Sequence, residues 1–195
     1  MKARALVLNG TIGAGKTSLA EQVSELLHES GLVHGLIDLD WLAQVYPAPD
    51  PDDPFNLALA LDNLAYVWSG FRRAGAAHLV MAATIETAAE MAAVKTALAE
   101  TDVTVALVTA SPDVAADRIR RRELGGLAAE FVERTGHLAA RIRDARLEDF
   151  VVSNDDEAIR TTAAAIVERL GWLERRCTVP PRSCSTSGES CSCTT

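Results

Sequence analysis

Cysteine is absent from the main body of this chain, because Cys177, Cys184, Cys191 and Cys193 all lie in its last stretch. The main body therefore needs no disulfide. An excess of positive charge is missing too, since the net charge is −8 and the pI is near 5.0. These values argue against a general nucleic-acid or membrane-surface binder, because such partners need a basic face.

The sequence also lacks any apolar run that approaches the length of a membrane span. The amino terminus, Met1-Lys2-Ala3-Arg4, leads directly into a predicted strand and leaves no room for a signal peptide. We therefore expect a cytoplasmic protein without a membrane partner.

The length of the chain favours a single globular domain. With 195 residues, 48% of them hydrophobic, it can form a proper core, and we place this domain at residues 1–173. Residues 174–195 form a Ser/Thr/Cys-rich tail that we expect to be disordered, because it has little apolar surface to bury. The cysteine spacing is not a recognised zinc spacing. The tail also resembles the core of ribosomally made modified peptides, so modification and zinc binding both stay open.

A glycine-rich stretch near the start carries the clearest functional signal. Residues 10–17 read GTIGAGKT and fit the phosphate-binding pattern G-x-x-x-x-G-K-[ST] at every specified position. An apolar segment at residues 5–8 precedes this phosphate loop, and apolar residues at helical spacing follow it from Ser18 to Ser30. A mere turn between strand and helix is the alternative, but this context favours nucleotide binding. We expect a bound nucleotide to contact Gly10, Thr11, Ile12, Gly13, Ala14, Gly15, Lys16, Thr17 and Ser18.

The residue types of the phosphate loop suit a nucleoside triphosphate. Glycines let successive backbone N–H groups point at phosphate oxygens, and the following helix adds the positive end of its dipole. Lys16 would bridge the outer phosphates, and the Thr17 hydroxyl would hold Mg²⁺. The sequence therefore predicts a site for a nucleotide and a magnesium ion.

Two aspartates, Asp38 and Asp40, follow the second predicted strand, Val33 to Ile37. In an open parallel sheet, ligands gather at the carboxyl ends of the strands, and period-two spacing puts both carboxylates on one side of an extended chain. One carboxylate could accept a proton from a substrate hydroxyl and the other could support the metal. We assign Asp40 as the candidate base and Asp38 to the metal. The alternative is that one of them caps a helix that begins at Trp41.

The third predicted strand, Ala77 to Ala82, lacks the terminal aspartate that supports Mg²⁺ in many phosphate-loop enzymes. Either the aspartates after the second strand replace it, or Glu86 reaches in from one turn later. Glu86 equally suits the first turn of the following helix, where negative charge favours the dipole.

Four arginines lie close together before Gly125-Gly126: Arg118, Arg120, Arg121 and Arg122. Arginines stabilise the charge on a transferring phosphoryl group, and a glycine-flanked segment can close over a nucleotide as a lid. Arg118 and Arg122 share a helix face at i,i+4, and we assign them as candidate catalytic residues. The alternative is a solvated face paired with Asp117 and Glu123.

The fifth predicted strand, Phe150 to Val152, is followed by Asn154. The loop after this strand often lies beside the adenine base, so we assign Asn154 to nucleotide binding. Asn154 and Glu157 also have the spacing of a capping box, and capping alone could account for Asn154.

Five predicted strands alternate with helices, which indicates a three-layer α/β domain with a mainly parallel sheet. The phosphate loop, the Asp38/Asp40 pair and the arginine-rich segment resemble the small P-loop kinases, which include adenylylsulfate, shikimate and gluconate kinases and chloramphenicol phosphotransferases. The resemblance covers residues 3–172 and implies a P-loop NTPase fold with strand order 2-3-1-4-5. It also implies Mg-ATP as donor, a small hydroxylated acceptor, and Asp40 as the activating carboxylate. Adenylylsulfate kinases carry an arginine shortly after their aspartates, whereas here Trp41, Leu42, Ala43 and Gln44 follow.

Two function classes follow from these observations. The first is a kinase that moves the γ-phosphate of ATP to a hydroxyl of a small molecule. The second is a nucleotide-hydrolysing binding protein, or switch, that has no small-molecule acceptor. A kinase needs Asp40 for transfer, whereas a switch tolerates Asp40→Asn and still depends on Lys16. The acceptor and the oligomeric state stay open.

Overall fold

The computed structural model of the protein describes residues 2–122, 127–155 and 158–173. The tail at residues 174–195, the Gly125-Gly126 pair and Glu157 lie outside the described residues, as does the side chain of Arg122. Predictions made for these residues stay predictions. In the part of the chain that is described, no helix is long and apolar enough to cross a membrane.

The fold centres on one sheet of five parallel strands. The strands are β1 Ala3–Asn9, β2 His34–Asp38, β3 His78–Ala83, β4 Thr101–Thr109 and β5 Phe150–Ser153. Their order in the sheet is β2-β3-β1-β4-β5, and every pairing is parallel. The predicted fold class and strand order are confirmed. Because β1 is central, the phosphate loop that follows it starts from the middle of the sheet edge.

Helices connect the strands and cover both faces of the sheet. They are α1 Lys16–Glu29, a 3₁₀ helix at Leu39–Ala43, α2 Leu57–Arg73, α3 Ala88–Ala97, α4 Pro112–Arg122, α5 Leu127–Ala145 and α6 Ile159–Leu170. Such crossover helices are what parallel strands require.

The side chains of β1 show why its sequence is a continuous apolar run. Ala5 and Val7 point to one face and pack in a core with Leu64 and Trp68 of α2. Leu6 and Leu8 point to the other face and pack in a second core with α1 and α6. A strand that is buried on both faces cannot alternate apolar with polar residues.

The starts of α2 and α6 are stabilised differently. α2 begins at Leu57, and the carboxylate of Asp53 caps it by accepting hydrogen bonds from the backbone N–H groups of Leu57 and Ala58 at 2.8 and 2.9 Å. α6 begins at Ile159 and its N-cap is Ala158. Asn154 therefore does not cap this helix, and the capping alternative for this residue is wrong.

Candidate active site

A cavity of about 840 Å³ opens where β1 and β2 end. It is lined by Thr11, Ile12, Gly13, Gly15, Lys16, Thr17, Ser18, Glu21, Asp38, Asp40, Trp41, Gln44, Thr84, Arg118, Ile119, Asn154 and Ile159. Two walls can be defined. They are named for the roles proposed below: the donor wall is Gly10–Ser18, and the acceptor wall is Asp38–Gln44. The structure therefore brings most of the predicted site residues to one cavity.

The glycines of the donor wall are required by close packing behind the loop. Gly13 has a φ of +79°, and a Cβ atom there would lie 2.6 Å from the carbonyl oxygen of Ala115 in α4. Gly15 has a φ of +86°, and its Cβ would lie 2.3 Å from the side-chain nitrogen of Asn154. Other residues rarely adopt these angles, so the loop follows this path only with glycine.

Arg118 and Asn154 hold the donor wall from outside. Arg118 donates to the carbonyl oxygens of Gly13 and Ala14, both at 3.4 Å, and to that of Asn154 at 2.7 Å. The Asn154 side chain is 4% exposed and donates to the carbonyl of Ala14 at 2.8 Å. These hydrogen bonds satisfy the carbonyls of Gly13 and Ala14 and fix the path of the loop, whose N–H groups are the predicted phosphate contacts.

Arg120, on the same helix α4, has different surroundings. Arg120 is exposed and pairs with Asp117 at 3.0 Å, as the solvated-face alternative predicts for that residue. The structure therefore sets Arg118 apart from Arg120, although both belong to the same cluster in the sequence.

Asn9 is a structural residue of the site that the sequence reasoning missed. Its side chain is 1% exposed and accepts hydrogen bonds from the backbone N–H groups of Gly10 and Ile85, both at 2.9 Å. It also donates to the carbonyl of Ile85 at 2.9 Å. Asn9 thus ties the start of the phosphate loop to the segment after β3. The signal was a polar residue that ends an otherwise apolar strand.

Thr17 and Asp38 join the two walls. The Thr17 hydroxyl donates to a carboxylate oxygen of Asp38 at 2.7 Å. Lys16, on the same loop, donates to the carbonyl of Thr11 at 2.9 Å and lines the cavity. These contacts place a hydroxyl, a carboxylate and an ammonium group around the region that the loop encloses.

The oxygen atoms of Thr17 and Asp38 suit a magnesium ion. Mg²⁺ prefers oxygen ligands and is bound in most nucleotide sites by one or two protein groups, with water and phosphate completing the shell. Among the described residues, no group of three or more His, Cys, Asp or Glu side chains could hold a metal. The two oxygen donors of Thr17 and Asp38 therefore fit an ion whose other ligands are water and phosphate.

The chain after β2 departs from the prediction at Asp40. It turns into the 3₁₀ helix at Leu39 instead of staying extended, and Asp38 caps this turn by accepting from the N–H of Asp40 at 3.1 Å. The period-two argument is therefore wrong, although Asp38 and Asp40 both line the cavity. Asp38 both caps the turn and lines the cavity, so the capping alternative does not remove it from the site.

Trp41 and Gln44 complete the acceptor wall, and the sequence reasoning assigned neither a role. Trp41 is 73% exposed. The Gln44 side chain donates to the Asp40 carbonyl at 2.7 Å and accepts from the Tyr46 hydroxyl at 2.7 Å. Trp41 stands out because it is a large aromatic residue that is exposed in a cavity. Exposure cannot be read from the sequence, so no sequence signal identified it.

Glu86 does not line the cavity. It precedes α3, which begins at Ala88 with Thr87 as its cap, so the prediction that it lies in the first turn is wrong. Its carboxylate pairs with Arg141 of α5 at 2.8 Å. Ile12 of the phosphate loop also packs against α5, beside Leu138. The structure thus connects α5 to the donor wall and to the segment after β3.

Asp155, next to Asn154, connects the turn after β5 to the turn after β4. Its carboxylate accepts from the backbone N–H of Ser111 at 2.6 Å and from the Ser153 hydroxyl at 3.3 Å. The hydrogen bond from the Ser111 backbone is the main cause that lowers the pKa of Asp155 below its ordinary value, because it stabilises the ionised form.

The chain has a glycine-rich loop between a central parallel strand and a helix, and Thr17 of that loop is hydrogen-bonded to Asp38. These features define a P-loop nucleotide-binding domain. A family profile described as an AAA domain matches residues 6–133, which is more than half of the chain. The chain belongs to this family. A comparison with curated proteins finds no match.

Solved structures of small-molecule kinases share the fold. The APS kinase of Mycobacterium tuberculosis, in complex with AMPPNP and APS, is 23% identical, with a TM-score of 0.60 over 87% of this chain and 98% of that chain. The shikimate kinase of Acinetobacter baumannii, in complex with shikimate, is 15% identical, with a TM-score of 0.54 over 89% and 96%. A gluconokinase of Sinorhizobium meliloti is 17% identical, with a TM-score of 0.55 over 88% and 97%. The predicted P-loop kinase fold is confirmed.

Proposed function

We propose that the protein is an ATP-dependent phosphotransferase that moves the γ-phosphate to a hydroxyl group of a small molecule. The observation that carries this proposal is the 2.7 Å hydrogen bond between Thr17 and Asp38. It brings the phosphate loop and the segment that carries Asp40 to a single cavity. A donor site and a candidate base on opposite walls of one cavity are what transfer to a bound acceptor requires.

The donor wall binds the triphosphate. Backbone N–H groups of the loop surround the phosphate oxygens, and Lys16 exchanges its contact with the Thr11 carbonyl for the outer phosphates. Arg118 keeps the loop in shape and adds positive charge beside the transferring group. Arg122, one helical turn later, is proposed as the second lid arginine.

Thr17 and Asp38 would hold Mg²⁺ in the presence of nucleotide, Thr17 through its hydroxyl and Asp38 through the carboxylate oxygen it already turns toward Thr17. When bound, the ion neutralises charge on the β- and γ-phosphate oxygens. Asp38 also caps the turn that carries Asp40, so it fixes the base relative to the donor wall.

Asp40 is the candidate base. Its position on the cavity wall lets a small molecule place a hydroxyl group beside it. The carboxylate then accepts the hydroxyl proton as the oxygen attacks the phosphorus atom, and ADP leaves.

The comparisons support this assignment by analogy of fold. APS and shikimate are the bound molecules in two of these kinase structures, and AMPPNP is the nucleotide in one. For this chain, ATP as donor, a small hydroxylated acceptor and a cytoplasmic location are therefore proposals.

The test is transfer of label from γ-labelled ATP into a fractionated pool of metabolites and antibiotics. Wild type is compared with Lys16→Ala and Asp40→Asn. Lys95→Ala and Asp62→Asn are matched controls, because both residues are exposed and neither lines the cavity. We expect a labelled product from wild type and both controls, and none from either site variant.

Label that appears only as free phosphate, at the same rate in wild type and Asp40→Asn, would contradict the kinase proposal. That result would favour a nucleotide-hydrolysing switch, in which Lys16 matters and Asp40 does not.

A further inference from the structure

Trp41 is the one exposed tryptophan of three. Its side chain is 73% exposed, whereas Trp68 is 3% exposed and Trp172 is 6% exposed. Trp41 also lines the cavity, beside Asp40. Binding pockets are commonly lined by aromatic side chains, whose flat faces bury a large apolar area on contact with a ligand.

The backbone that carries Trp41 is fixed from several sides. Asn63 donates to the Leu42 carbonyl at 2.8 Å, and Asn56 donates to the Ala43 carbonyl at 3.0 Å. Leu39 is 3% exposed and anchors the start of the same turn in the core. An exposed indole on a fixed backbone is pre-organised, so a ligand that stacks on it does not have to order the turn.

Hydrogen bonds also connect the turn that carries Trp41 to the groups that carry the proposed reaction. Thr17 donates to Asp38, and Asp38 accepts from the backbone N–H of Asp40. Trp41 follows Asp40 directly, so its position is fixed relative to the candidate base. A molecule that stacks on Trp41 is therefore held on the acceptor wall.

The charges around the cavity limit the acceptor further. Glu21, Asp38 and Asp40 contribute carboxylates to the lining. Among the described residues that line it, the cations are Lys16 and Arg118, and both contact backbone carbonyls of the phosphate loop. Because Asp38 is assigned to Mg²⁺, a negatively charged acceptor would meet the carboxylates of Glu21 and Asp40, and the two described cations are assigned to the donor nucleotide.

We infer that Trp41 is the platform on which the acceptor stacks, and that the acceptor is a hydroxylated ring compound without negative charge. This inference rests on the proposed kinase function. It adds the substrate class: cyclic alcohols that are neutral or carry an amine, in preference to cyclic hydroxy acids.

The first experiment measures γ-phosphate transfer from ATP to a panel of cyclic alcohols in three charge classes. The panel contains neutral glycosides and nucleosides, amino sugars, and cyclic hydroxy acids. We expect phosphorylated products from the neutral or amine classes. For the best acceptor, Trp41→Ala should raise KM at least tenfold, while the Kd for Mg-ATP changes less than twofold.

Tyr66→Ala is the matched control. Tyr66 is 79% exposed, but it lies on α2 and does not line the cavity, so its removal should leave the acceptor KM within twofold of wild type. Glu21→Lys and Glu100→Lys form a second pair with the same change in net charge. Only Glu21→Lys should reduce the preference for neutral or amine-bearing acceptors over hydroxy acids. Glu100 is exposed but does not line the cavity, so Glu100→Lys should leave that preference unchanged.

A binding measurement gives a readout besides activity. Acrylamide quenches the fluorescence of exposed Trp41 but reaches buried Trp68 and Trp172 poorly. The best acceptor should protect wild type from quenching in the presence of a non-hydrolysable ATP analogue. Trp41→Phe should show neither the quenching nor the protection.

Two outcomes overturn the inference while the kinase proposal stands. One is transfer that is fastest to cyclic hydroxy acids. The other is an acceptor KM that does not respond to Trp41→Ala. If wild type binds Mg-ATP and phosphorylates no compound in the panel or in the wider metabolite pool, the kinase proposal fails and this inference falls with it.

Discussion

The two walls of the cavity are built in different ways. On the donor wall the groups proposed to face the ligand are mainly backbone N–H groups, together with the Lys16 and Thr17 side chains, and Arg118 and Asn154 hold that backbone from behind. On the acceptor wall the ligand-facing groups are exposed side chains, above all Trp41, on a turn capped by Asp38. Backbone N–H groups can bind the phosphates of any nucleoside triphosphate, whatever the side chains are. A site made of side chains binds a different ligand once those residues are substituted. The contrast explains why the donor is easier to assign than the acceptor.

Among the variants that test the donor wall, Lys16→Ala is expected to have the largest effect on activity. Lys16→Ala deletes the cation that is proposed to contact the outer phosphates, and a loss of one such group costs roughly 10²–10³-fold in kcat. Steady-state ATP turnover checks this prediction. The Lys95→Ala control should keep wild-type turnover, and turnover in Lys16→Ala within about threefold of wild type would contradict the assignment of Lys16.

The packing behind the donor wall should tolerate no side chain at Gly13. Gly13→Ala combines a φ of +79° with a contact of 2.6 Å to a backbone oxygen. We expect a loss of about 2–4 kcal/mol in the free energy of unfolding and weaker nucleotide binding. Urea denaturation and ATP titration measure the two effects.

Gly136→Ala is the matched control for this change. Gly136 lies in α5, and nothing stands within 4 Å of the Cβ that alanine would add. This variant should be about 0.5–1 kcal/mol more stable than wild type, since alanine favours a helix over glycine. Equal effects of the two substitutions would mean that the loop is not packed as described.

Loss of Asn9 tests whether a buried side chain shapes the donor wall. Asn9→Ala leaves the backbone groups of Gly10 and Ile85 without partners. We expect a loss of about 1–3 kcal/mol in the free energy of unfolding, together with weaker ATP binding. Full nucleotide affinity in a destabilised variant would show that Asn9 serves the fold and not the site.

Asp155→Asn should have the smallest effect on the free energy of unfolding, and the size of this effect should depend on pH. Its pKa is lowered from the ordinary value of 3.8, mainly by the hydrogen bond from Ser111, so its ionised form favours the folded state. That stability is present above pH 3.8 and is lost as the pH falls through the lower folded-state pKa. Wild type should exceed Asp155→Asn in unfolding free energy at pH 6, and the difference should shrink toward pH 3. A constant difference would contradict this account.

The sequence was sufficient to predict the sheet and the phosphate loop, because both depend on local patterns. The apolar run of β1 and the GKT motif require no knowledge of distant residues. The sheet order 2-3-1-4-5 came from the family resemblance and is confirmed.

Residues whose role depends on distant partners could not be predicted. Glu86 pairs with Arg141, which lies far along the chain, and no local pattern indicates that pairing. Asp38 and Asp40 are two positions apart in the sequence whether the chain stays extended or turns after Asp38. The sequence therefore did not distinguish a strand from the 3₁₀ helix that is present. Asn9 contacts Ile85 only because β1 and β3 are neighbours in the sheet.

The separate roles of the two walls can be tested most directly with Asp40→Asn. Calorimetric titration gives its Kd for Mg-ATP, and the same preparation is assayed for γ-phosphate transfer to the acceptor found in the labelled pool. The account predicts a Kd within about twofold of wild type and a transfer rate lowered by roughly 10²–10⁴-fold, the usual contribution of a general base. Wild-type transfer by Asp40→Asn, or loss of Mg-ATP binding in step with transfer, would contradict it.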